Sequence, residues 1–120
     1  MYALNFYSPL FVDQLRKGRK TATIRLGDKS GKYHTGQLVW VTVGHRNGPR
    51  QKIFTAIVDL VDVKPLRELT QRDIERDNPE FRLVEDTLHF LSHIYSREIT
   101  LDDHVSVIHF SEVIEFPTLK

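Results

Sequence analysis

Cysteine is missing from this chain altogether. Its absence excludes disulfides and thiolate metal centres and suits a reducing compartment, so the expected location is cytoplasmic. Long apolar runs are missing too. None approaches the roughly 20 residues that cross a bilayer as a helix, so no membrane partner is expected. The opening MYALNFYSPLF has neither a basic n-region nor a small-residue cleavage site, and it does not read as a secretory leader. The Gly-rich phosphate loops of the GxGxxG and Walker types are absent, and so is a Ser nucleophile elbow. There is no internal repeat and no low-complexity segment.

What remains is enough for one packed domain. The chain has 120 residues, 40% of them hydrophobic, which fits a single core spanning residues 1–120 and not two. The net charge of +1 conceals an asymmetry. Residues 1–60 carry 10 Lys/Arg against 3 Asp/Glu, a charge of +7, and residues 61–120 carry 7 against 13, a charge of −6; together they recover the +1. A basic half attracts phosphates locally even in a near-neutral protein, unless the two halves neutralise one another across the folded surface.

Periodicity predicts the elements. Ala3 to Tyr7 alternates as a first strand, and Ser8-Pro9 opens a helix whose buried stripe is Phe11, Val12 and Leu15. Gly18 stops it. A strand follows from Thr21 to Leu26, with Ala22, Ile24 and Leu26 on one face and Thr21, Thr23 and Arg25 on the other. Residues 27–36 form a polar loop, and Gln37 to Val43 is a strand carrying Trp40. HRNGPRQ at 45–51 is a turn, and Lys52 to Val63 is a long β-rich run. Thr70 and Asp73 have capping-box spacing at the head of a short helix that Asn78-Pro79 ends. Phe81, Val84, Leu88, Leu91 and Ile94 mark one face of a longer helix, and His104 to Phe116 is the last strand. Ala22, Ile24, Leu26, Trp40, Leu88 and Leu91 are expected to be buried. The order β-α-β-β-β-α-α-β, rich in strands, predicts an α+β fold: a small, partly open β-barrel flanked by helices, with an open α+β sheet as the alternative.

The chemistry concentrates at GRKTATIR, residues 18–25. Arg16, Lys17, Arg19 and Lys20 surround Gly18, the clustering that phosphate neutralisation needs. The plainer reading is a solvated helix end. After Lys20 come two hydroxyls and a guanidinium in line: Thr21, Thr23 and Arg25. A hydroxyl beside an amine able to take its proton is the minimum for nucleophilic catalysis, and Arg25 suits a carbonyl, phosphate or carboxylate. Against this, Thr is simply a good strand former, and residues three apart on a strand face opposite sides. Tyr33 and His34 lie in the basic half and are candidates for lining a ligand entrance. His89 and His93 stand one helical turn apart near Asp86, but no third ligand accompanies them, so no metal site and no cofactor are expected. His104 and His109 are either ordinary strand residues or base-stacking groups.

GRKTATIR, YHTGQLVWV, LTQRDIERDNP and the closing VSVIHF together resemble the ASCH domain family, a branch of the PUA-like superfamily. The likeness extends over most of the chain. It implies a PUA-like barrel with a cleft lined by the motif strand, and binding of RNA or a modified nucleoside. Arg16, Arg19, Thr21, Arg25, Tyr33 and His34 are then the ligand- or RNA-binding candidates. Within that family the motif is similar to that of the bacterial acetylcytidine amidohydrolases. This implies Lys20 as base and Thr23 as nucleophile, with the carboxylate at Asp77 or at nearby Glu75 in place of the family's glutamate. Three functions follow: a binding module for RNA or a modified nucleoside, an amidohydrolase deacylating acetylcytidine, or a non-catalytic regulatory or interaction domain. Nothing in the residues predicts DNA specificity or an oligomeric state.

Overall fold

The computed structural model describes residues 1–45 and 47–114. The elements occur in the expected order: β1 (Ala3–Phe6), α1 (Leu10–Arg16), β2 (Ala22–Leu26), β3 (Leu38–Gly44), β4 (Arg50–Pro65), α2 (Gln71–Asp77), α3 (Val84–Tyr95) and β5 (His104–Glu112). A 3-10 turn, Leu66–Glu68, links β4 to α2. The strands form one sheet in the order β1-β3-β4-β5-β2, with β1 parallel to β3 and every other pair antiparallel.

The sheet curls until its two edges face each other. Arg25 on β2 donates through Nη2 to the Asn5 carbonyl of β1 at 3.0 Å, bridging the seam without a strand ladder. The result is a partly open barrel in an α+β fold. Its length comes largely from β4, which bends at two irregularities. Against β3, Ile53 is left unpaired between Phe54 and Lys52; against β5, Asp59 is left unpaired between Val58 and Leu60. Such an extra residue bends the strand and re-aims a side chain.

Two apolar layers result. Inside the barrel, Leu4, Phe6, Val39, Val41, Val43, Ala56, Val58, Ile108 and Phe110 pack with Leu15 of α1 and with Tyr33. On the outside of β2 and β5, Ala22, Ile24, Val105 and Val107 pack with Leu66, Leu91 and Ile99. β5 is therefore buried on both faces. Local signals behave as their chemistry dictates. Ser8 Oγ accepts from the Leu10 amide at 3.3 Å. Gly18 takes φ +70° just past α1. Thr70 and Asp73 complete a reciprocal capping box on α2. Asp86 caps α3 through the Arg82 and Leu83 amides.

Three expectations need correction. Trp40 is not in the core: it is 44% exposed. Val39 and Val41 take the inward positions of β3, so strand alternation turns Trp40 outward. Leu26 and Leu88 are only half-buried, at the margins of the outer layer, whereas Ala22, Ile24 and Leu91 are buried as expected. The last strand ends at Glu112; Ile114 is exposed, and Phe116 lies outside the described residues.

Candidate functional site

β2 is the sheet edge, and α2 stitches itself along it. The Thr21 amide donates to the Arg76 carbonyl at 3.0 Å, and the Ile24 amide donates to Asp77 Oδ1 at 3.0 Å. This puts the end of α2 directly over the motif. Lys20 enters from the α1 side with 2% of its surface exposed. Its Nζ donates to the Ala22 carbonyl at 3.0 Å, to the Asp77 carbonyl at 2.5 Å and to Asp77 Oδ1 at 3.1 Å. An ammonium has three protons, and all three are engaged. The rings of Phe6 and Phe11 each lie 4.9 Å from Nζ, supplying cation–π contacts in place of water.

Burial pushes the Lys20 pKa below the usual lysine value. The Asp77 charge and hydrogen bond oppose the shift, and the Arg25 charge adds to it. The Arg25 guanidinium carbon lies 5.2 Å from the Phe6 ring centroid, and its Nε donates to Thr23 Oγ1 at 3.3 Å. Lys20, Thr23, Arg25 and Asp77 are thus gathered around Phe6. The four do not share one open cleft, because Thr23 is only 4% exposed. Both faces of β2 are covered, by the barrel interior on the Thr23 side and by α3 on the Ile24 side. Thr23 is also not among Lys20's hydrogen-bond partners. Of the two carboxylates considered, Asp77 meets Lys20, whereas Glu75 points away and accepts from Gln71 Nε2 at 3.0 Å.

The solvent-filled cleft lies next door. It has a volume of about 570 Å3 and reaches Lys20 and Thr21 from the α1 side. Its lining includes the cations Arg16, Lys17 and Arg76. Asp59, Ser111 and Glu112 also line it, together with Phe54, His109 and Phe110. Ser111 Oγ donates to Asp59 Oδ2 at 2.6 Å, holding the unpaired β4 residue in place. His109 is backed by Asp73, whose Oδ1 is 3.7 Å from Nε2, and burial lowers the histidine pKa while Asp73 opposes that shift. Asp73 is itself held by Lys64 at 2.7 Å. Burial works against the Lys64 charge, yet the hydrogen bonds that Lys64 donates to Asp73 and Asp62, with their negative charges, outweigh it and hold the Lys64 pKa above normal.

Of the residues singled out in the sequence, Arg16, Lys20 and Thr21 line this cleft, and Thr23, Arg25 and Asp77 lie in the buried cluster behind it. Arg19 is exposed and outside the cleft lining. His34 is exposed, with its amide on Gln37 Oε1. Tyr33 is packed in the barrel, where its phenol donates to the Ala3 carbonyl at 2.9 Å, so it lines no entrance. Arg76 and Asp59 were missed. Arg76 had a faint signal in its place beside Asp77; Asp59 had none, because a bulge leaves no mark on strand alternation. Among the described residues no group of His, Asp or Glu is arranged to hold a metal, and no helix is long and apolar enough to cross a membrane.

Comparison with known proteins agrees with this architecture. An ASCH domain from Lactobacillus crispatus JV V101 superposes with a TM-score of 0.65 at 16% identity, over 90% of this chain and 77% of its own. The chain has the ASCH-domain fold. Protein EF3133 from Enterococcus faecalis V583, of the DUF984 family model, shares it with a TM-score of 0.70 at 16% identity, over 94% of this chain and 80% of its own. The hypothetical protein PH0355 does so with a TM-score of 0.66 at 16% identity, over 91% and 95%. No protein-family model and no curated protein sequence matches the chain. In this ASCH-type barrel the GRKTATIR strand forms the seam, and its cluster sits where β2, α1 and α2 converge.

Two outcomes are expected from this geometry. Removing one member of a buried ion pair strands the other charge, so Asp77→Ala should destabilise the fold by about 3–5 kcal/mol, while Glu75→Ala should stay within about 0.5 kcal/mol. Urea denaturation compares them; equal midpoints would contradict the pairing. The second concerns pH. Because the folded pKa of Lys20 lies below the 10.5 of a free lysine, folded protein releases this proton first as pH rises. Between the two values the unfolded chain holds more protons, so stability rises with pH there. Wild type should therefore gain stability relative to Lys20→Met as pH climbs toward 10.5, and a relative loss would mean that folding raises this pKa.

Proposed function

We propose that the chain binds a nucleotide unit of RNA, or a modified nucleotide, in the cleft beside Lys20. The carrying observation is the lining of that cleft, which brings together the cations Arg16, Lys17 and Arg76, the acids Asp59 and Glu112, and the rings of His109, Phe54 and Phe110. A phosphate is attracted to the three cations and repelled by the acids, a planar base suits the aromatic lining, and carboxylates accept hydrogen bonds from an exocyclic amine. The volume of about 570 Å3 falls in the range of small-ligand sites. The reading agrees with the expectation drawn from the ASCH resemblance. It shifts the emphasis from Arg19 to Arg76.

A second reading, deacylation of acetylcytidine, is favoured by one observation: Lys20 is a buried lysine with a lowered pKa, beside Asp77. In this reaction Lys20 takes the Thr23 proton and Thr23 attacks the amide carbonyl. The C–N bond breaks as Asp77 assists proton transfer to the leaving amine, and water then hydrolyses the threonine ester. Arg25, already donating to Thr23 Oγ1, would favour the alkoxide. Lys20 must first lose a proton to solvent, which frees a lone pair and one of its three acceptors, and turn that lone pair toward Thr23. The binding reading needs no such rearrangement and ranks first.

Cytidine monophosphate should bind wild type, and Arg16→Ala combined with Arg76→Ala should weaken it at least about tenfold by calorimetry, since a hydrogen bond to a charged group is worth about 1.5–3 kcal/mol. Unchanged affinity in the double variant would remove the cleft as the binding site. For the second reading, wild type should release cytidine from acetylcytidine. Thr23→Ala should abolish release, Lys20→Ala should slow it roughly 100-fold, and Thr21→Ala should have a smaller effect. Absence of release would reject the hydrolase and leave the binding reading standing.

A further inference from the structure

We propose that the outer face of the β3–β4 hairpin is a second nucleic-acid surface, a stacking platform for single-stranded RNA centred on Trp40. The inference goes beyond the cleft and involves none of its residues. A tryptophan in mid-strand is an expensive side chain to leave in water, because its large apolar surface gains most from burial. Here alternation turns it out at 44% exposure, and Leu38, two residues earlier on the same face, is 47% exposed. Among the described residues no helix covers this face: α3 packs on the β2–β5 side, α2 lies along β2, and α1 plugs the barrel.

The surroundings identify the partner. Lys52 on β4 holds its Nζ 5.3 Å from the Trp40 ring centroid. Beyond this face, just before β1, Tyr2 is a further exposed ring, edge-on to Tyr33 with centroids 6.2 Å apart and with Lys32 Nζ 5.4 Å from its own centroid. Between Asp28 and Asp59 the sequence has no carboxylate, yet it contains Lys29, Lys32, Arg46, Arg50 and Lys52. Exposed rings flanked by cations, on a stretch free of acidic residues, match the two recurring needs of a single strand: faces on which bases stack and positive charge for the backbone. A second copy of this chain is a poor occupant, because an isologous contact would set the same cationic hairpin against itself.

The sequence has one tryptophan, so its fluorescence reports on this face alone. Titrating the protein with an oligouridylate at low salt should quench Trp40 emission. The quenching should persist in Arg16→Ala with Arg76→Ala, which separates this surface from the cleft. By anisotropy of fluorescein-labelled oligouridylate, Trp40→Ala should weaken binding at least about fivefold, the lower end of base–aromatic stacking, and Trp40→Phe should restore most of it. Lys52→Ala should weaken binding and flatten its salt dependence. Circular dichroism of the Trp40 variants verifies folding, and Lys52→Ala tests the same face without touching a ring. Unquenched emission, or affinity unchanged in both Trp40→Ala and Lys52→Ala, would overturn the proposal. So would emission that shifts with an acidic peptide or with anionic phosphatidylserine vesicles while oligouridylate has no effect.

Discussion

The buried contact between Lys20 and Asp77 holds this small domain's architecture to its chemistry. β2 ends the sheet, and an unpaired edge strand invites pairing with another chain. Here the Asp77 carboxylate accepts from both the Ile24 amide and the Lys20 ammonium, while the Arg76 carbonyl takes the Thr21 amide. The end of a short helix thus replaces a sixth strand. The same contact fixes the position of Arg76 on the cleft wall and draws Lys20 under the rings of Phe6 and Phe11. On the opposite edge, Asn5 is fastened by Thr42 and by the Gly44 carbonyl, and its own carbonyl receives Arg25. The β2 edge is therefore covered by the end of α2, and the β1 edge is met by Arg25 of the motif strand.

Much of this was legible from local chemistry. The turn at Gly18, the capping box of Thr70 and Asp73, and the break at Asn78-Pro79 all depend on residues within a few positions of one another, which is why they could be read without knowing the fold. The alternation of Ala22 and Ile24 against Thr23 was equally plain. What alternation cannot say is whether the second face meets water. Thr23 and Arg25 look like a solvated stripe in sequence, but the sheet curls and closes over them. Trp40 shows the converse: its hydrophobicity suggested the core, while the valines on either side had already claimed the inward positions. The choice of Asp77 over Glu75 was equally hidden, since it depends on how α2 lies against β2, a contact across 57 residues.

Charge follows the same division between local and long-range. The positive first half does not simply cancel the negative second half in the folded protein. At the cleft both halves contribute both signs: Arg16, Lys17 and Asp59 come from the first half, Arg76 and Glu112 from the second. Away from the cleft the β3–β4 hairpin keeps its positive character. The near-zero net charge is thus a sum over distinct surfaces, and it conveys little about what any one of them attracts.

β5 has a further consequence. Ile108 and Phe110 belong to the barrel interior, while Val105 and Val107 belong to the layer beneath α3. One strand is thus a shared wall between two apolar compartments. Neither compartment can open without baring one side of β5, so the two are expected to lose protection from amide hydrogen exchange together, with the slowest exchange along this strand.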